Sequence, residues 1–147
     1  MLRGLQVFVS GVALAGMTLA GVTVAAAQEP AKPVLTLDGD AAVITLLIKP
    51  DKTAEFESVI AKLKEALAKS DKPERKAQLA GLKIFKSSQQ ANGNAVYILI
   101  FDPVVKDQEY DITRIIAEVF PVEVQEIFEK YKAAFAGRAI ASLKKVQ

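Results

Sequence analysis

The sequence predicts an α+β domain, one antiparallel sheet with two helices on one of its faces, its elements running β-α-β-β-α-β. Three observations carry this expectation. Residues 42–48 and 95–101 are short runs rich in β-branched residues and apolar on both faces. Residues 53–69 and 121–136 repeat apolar side chains at helical spacing. Between the second and third strands lies Asn92-Gly93, the strongest short-range signal for a two-residue hairpin turn.

Ahead of these elements, residues 1–27 have the make-up of a secretory signal. Arg3 is the only charge before Glu29, Val7 opens an apolar run that reaches Ala20, and Ala25-Ala26-Ala27 supplies a small-residue cleavage site. The expected product is exported, periplasmic or secreted, and free of the membrane once cut. Residues 28–40 then form a linker with two prolines, and Val34 to Leu37 add a possible short edge strand before the turn at Asp38-Gly39-Asp40. Residues 41–147 make the single folded domain.

In the first strand Ile44, Leu46 and Ile48 point one way, and Val43, Thr45 and Leu47 the other. Asp51 or Thr53 is expected to cap the following helix. Its stripe is Phe56, Val59, Ile60, Leu63 and Leu67, at i, i+3, i+4, i+7 and i+11, with charged residues around the rest of the surface. Pro73 opens a second helical turn towards Gly81. Leu82 to Ser87 forms the second strand. If Ala91 faces Asn94 across the turn, counting outward sets Phe85 against Ile100 and Lys83 against Asp102.

Asp111 caps a helical stretch to Phe120, and Pro121 breaks or restarts it. Val124, Ile127, Phe128, Tyr131 and Phe135 repeat the spacing of the first helix. Gly137 is expected as its C-cap, with a weak fourth strand over 139–146.

Composition narrows the chemistry. The 147 residues hold no Cys and no His, which removes disulfides, thiolate metal sites, the usual general base and the commonest transition-metal ligand. Nineteen basic against 17 acidic residues, interspersed, give no electrostatic case for nucleic acid. The basic stretch Lys62, Lys64, Lys69, Lys72, Arg75 and Lys76 is interrupted by acids and reads as a solvated face. Asp107, Glu109, Asp111 and Glu118 fall at calcium-loop spacing, but Ile112 stands where glycine is required. No metal and no cofactor are expected.

The element order is that of ferredoxin-like domains. Such a sheet ordinarily turns one face to water and alternates apolar with polar residues. Strands 42–48 and 95–101 do not alternate, so a second subunit is the economical cover. In order and patterning, strand 42–48, helix 53–69, hairpin 82–101 and helix 121–136 resemble the dimeric α+β barrel superfamily, which includes the antibiotic-biosynthesis-monooxygenase-like domains. The resemblance implies a homodimer whose two sheets face one another as an α/β barrel. It also implies, as an alternative to a non-enzymatic domain binding a small apolar ligand or a protein, a cofactor-independent monooxygenase-like enzyme on a small organic substrate. The candidate ligand-binding residues are Tyr97 and Phe85, with Phe101, between the sheets, and Lys83, Asp102 and Arg114 at the rim. Tyr97 needs a partner for its hydroxyl, and Ser88 is the cross-strand neighbour expected to supply it.

Overall fold

A computed structural model describes residues 31–147, of which Lys32–Gln147 form one compact unit. The expected export signal, residues 1–27, lies outside the described residues. The elements are β1 (Ala41–Ile48), a 3-10 turn (Pro50–Lys52), α1 (Thr53–Lys69), α2 (Pro73–Gly81), β2 (Leu82–Lys86), β3 (Ala95–Phe101), α3 (Ile112–Val119), α4 (Val124–Ala134) and β4 (Phe135–Leu143). The strands form one antiparallel sheet in the order β2-β3-β1-β4. Among the described residues, four helices thus accompany a four-stranded sheet: the two long helices of the expected β-α-β-β-α-β order, with the short stretches after Pro73 and Asp111 forming helices of their own.

Alternation decides the layers. Ala42, Ile44, Leu46 and Ile48 of β1 and Ala95, Tyr97, Leu99 and Phe101 of β3 are buried beneath the helices. The whole stripe of α1 meets them, with Phe56 edge-on to Tyr97 at 4.7 Å between ring centres. Among the described residues, no element lies over the opposite sheet face. Pairing aligns Phe85, Ile98, Thr45 and Ala139 in one row across that face, and Lys83, Ile100, Val43 and Ala141 in the next.

Several local expectations are corrected. Residues 34–37 are not a strand, although Leu37 is buried in the core. Neither Asp51 nor Thr53 caps α1; the 3-10 turn runs into it through Lys52, which makes no capping hydrogen bond. Asn92 and Gly93 do take the positive φ of the turn (52° and 74°), and Ala91 does pair with Asn94. The register beyond it differs by two: Phe85 faces Ile98 and Lys83 faces Ile100. Three residues, 88–90, lie opposite Ala95 alone, and this bulge absorbs the difference. Lys83 therefore does not face Asp102. Gly137 is not a C-cap, because it never enters the left-handed region. The chain leaves helix already at Phe135 (φ −69°, ψ 127°), and Gly137 lies within β4 opposite Leu47.

Candidate functional site

The five residues singled out from sequence do not converge. Phe85 and Lys83 share the open sheet face, and Phe85 is 52% exposed. Tyr97 points the other way, under α1, and so does Phe101. The parity of the strand carries this information, since a residue paired with Ile98 or Ile100 cannot share a face with Tyr97. Asp102 ends β3, its backbone N–H donating to Gly81 O at 3.0 Å. Arg114 lies exposed on α3, with Nη1 3.9 Å from Glu109 Oε2.

Ser88 is not the partner of Tyr97. The Tyr97 hydroxyl donates to Glu57 Oε1 at 2.6 Å, and Lys86 Nζ donates to the same oxygen at 3.0 Å. These two hydrogen bonds, Tyr97's first, hold the Glu57 carboxyl below its ordinary value. Burial, then the carboxylate itself, raises the Tyr97 phenol, which stays protonated. This is a closed structural contact that ties α1 to β3.

A buried polar network went unread in the sequence. Arg75, taken for part of a solvated face, is 2% exposed. Its Nε and Nη2 donate to the two carboxylate oxygens of Glu118 at 3.0 and 2.7 Å, and its Nη1 donates to Gln78 Oε1 and to the Glu109 carbonyl. The Glu109 carboxylate in turn accepts backbone N–H bonds from Val34, Leu35, Tyr110 and Asp111. Three of the four acids at calcium-loop spacing, Glu109, Asp111 and Glu118, are thus engaged internally, with Asp111 capping α3 through Arg114 N–H. Arg75 and Gln78, three apart on one helix face, were the available signal.

Two hollows touch the helix side of the sheet. One, about 20 Å³, is bounded by Ile44, Leu46, Leu99 and Phe101 and has Tyr131, Arg138 and Asp111 in its wall. It has room for a single water at most. The other is a groove of about 230 Å³ between α4 and β4, lined by Phe128, Tyr131, Lys132, Phe135 and Arg138. Tyr131 belongs to both. Burial pushes its phenol up to about 12, with the positive charge of Arg138 opposing the shift and the negative charge of Asp111 adding to it.

This geometry defines an α+β domain of ferredoxin-like arrangement with one sheet face left open. No family model matches the sequence, and no curated protein matches it. Among solved structures, it is similar to a dimeric ferredoxin-like protein of unknown function from Thermobifida fusca YX, at 18% identity and a TM-score of 0.36, over 73% of this chain and 92% of that one.

Proposed function

We propose that the protein is an exported, non-enzymatic binding domain that works as a homodimer, each copy covering the open sheet face of the other. The carrying observation is the composition of that face. Val43, Leu47, Val96, Ile98 and Ile100 are all only half-buried, Phe85 and Leu143 are exposed, and Lys83 is the charge among them. Four strands about 4.8 Å apart, each about seven residues long, give a footprint of roughly 450 Å² per copy. Two such footprints approach the lower range of specific interfaces, near roughly 1,000 Å² in total. A face that is mostly apolar, with Lys83 at its β2 edge, is also complementary to itself, as a two-fold contact requires.

A small apolar ligand would lie between the paired sheets, against Phe85 and Ile98. The enzymatic alternative draws no support from the candidate residues, since Tyr97 is committed to Glu57 and lies on the other side of the sheet from Phe85. Export rests on the pattern of residues 1–27.

Light scattering on the purified protein tests the dimer. The expected result is a dimer at micromolar concentration, and a monomer when Phe85→Glu places a charge in the apolar face that each copy would bury. Phe85 is exposed in the single chain, so this variant keeps its fold. A wild-type monomer overturns the proposal.

A further inference from the structure

The groove between α4 and β4 has features that the dimer does not use. It lies on the helix side of the sheet, away from the open face, so either reading can fail alone. Phe128 and Phe135 line it and remain 41% and 37% exposed. Both charges in its lining are positive, Lys132 and Arg138, and Arg138 has no ion pair among the described residues. The other two arginines among the described residues are committed, Arg75 to Glu118 and Arg114 towards Glu109. The Tyr131 hydroxyl makes no hydrogen bond to a described residue, whereas those of Tyr97 and Tyr110 each make one. Its ring is fixed between Phe56, at 6.1 Å, and Phe135, at 5.7 Å.

We propose that this groove binds a small carboxylate carried on a flat apolar body, with the carboxylate held by Arg138 and Tyr131 and the body laid against Phe128 and Phe135. The donor set suits that chemistry. A guanidinium offers two parallel N–H groups to a planar carboxylate, and a phenol beside it adds a third donor. A phosphate dianion would leave more of its oxygens without donors. The volume, about 230 Å³, admits one ring or a fused pair and not a lipid chain. Asp111 lines the inner hollow and not the groove, its Oδ1 accepting from Thr113 Oγ1 at 2.7 Å and Arg114 N at 3.0 Å; its single negative charge opposes the ligand's, and the two positive charges of the groove, Lys132 and Arg138, outweigh it.

The test is a titration of the ¹⁵N-labelled full chain with sodium 1-naphthoate and, in parallel, with the neutral 1-naphthamide. The expected result is saturable shifts of amides in residues 128–138 with naphthoate. Losing the charge-assisted hydrogen bonds should make naphthamide bind about tenfold more weakly, and Arg138→Gln should weaken naphthoate by about the same factor. Arg138 is exposed on an edge strand, so unchanged amide positions in β1 and β3 confirm that the variant is folded. Equal binding of acid and amide overturns the proposal, as do shifts confined to other elements or no binding at all. Shifts of the groove amides with protein concentration alone, which naphthoate does not compete, overturn it in favour of a second copy seated in the groove.

Discussion

Helices α1 and α4 carry the same apolar spacing and meet different fates. In α1, Phe56, Val59, Ile60, Leu63 and Leu67 are all at most 8% exposed. In the matching stripe of α4, Ile127 alone is buried; Val124 and Tyr131 are partly so, and Phe128 and Phe135 are open. The reason lies in what each helix packs against. The α1 stripe meets the central strands β1 and β3, with α3 and α4 alongside. The α4 stripe runs out towards β4, an edge strand exposed on both faces. Periodicity states that a face is apolar; the layer opposite decides whether it is core.

The sharpest way to break this comparison is at Phe56, which is fully buried and packs against both Tyr97 and Tyr131. Phe56→Ala should cost about 4 kcal/mol in urea unfolding, through lost transfer energy and the cavity left behind. A cost near 1 kcal/mol would mean that α1 is no better packed than α4.

The comparison extends to α3, which buries Ile112, Ile115 and Ile116 as α1 buries its stripe and adds to them an ion pair with α2. Burial raises the Glu118 carboxyl, but the hydrogen bond and charge of Arg75, with Lys72 behind them, outweigh it and leave the group below its ordinary 4.5. A folded value below the unfolded one contributes stability that is complete above pH 4.5 and is lost as pH falls through the folded value. Wild-type stability should therefore drop on acidification below pH 4.5 more steeply than that of Glu118→Gln. At neutral pH the same variant should cost about 2 kcal/mol, because Arg75 keeps its charge in a buried site without its counter-ion. Parallel acid limbs in urea titrations of the two proteins would show that this pair does not anchor α3.

The same contrast explains what was legible in the sequence. The bounds of α1 are legible because the apolar stripe and Pro73 agree, although the expected caps at Asp51 and Thr53 do not form. The Asn92-Gly93 turn was legible too, but the bulge at 88–90 was not, since Ser88-Gln89-Gln90 carries no pattern that distinguishes a bulge from a strand. Gly137 was taken for a helix stop because glycine is usually one; the helix in fact ends where Phe135 joins β1 through Ile48. The site was less legible than the fold. Arg75 and Glu109 look like surface charges in sequence, and their partners Glu118 and Val34 lie far along the chain. Tyr131 and Arg138 come from different elements, so no spacing rule joins them.

Capping separates α3 from α4 more finely. Asp111 accepts the Arg114 N–H, whereas Glu123 at the head of α4 makes no capping hydrogen bond. Asp111→Ala should cost about 1 kcal/mol. Glu123→Ala removes no cap, only the exposed ion pair with Lys62 at 2.8 Å, and should cost under about 0.5 kcal/mol, so thermal melts of the two variants decide. Equal losses would place the stabilisation elsewhere in the loop.

A small expected effect on stability is the most informative for function. Phe128 repeats the helical position that Ile60 occupies in α1, yet it is 41% exposed where Ile60 is 8% exposed. If α4 contributes little to the core through this residue, Phe128→Ala should cost under about 1 kcal/mol, against the 2–5 kcal/mol typical of a fully buried large side chain. The same substitution removes one wall of the groove and should weaken naphthoate binding while the amide pattern of the sheet persists. A large loss of stability would instead make Phe128 part of the core and return α4 to equivalence with α1. Stability and binding move together in that case, and apart if the exposed half of the stripe is kept for a ligand.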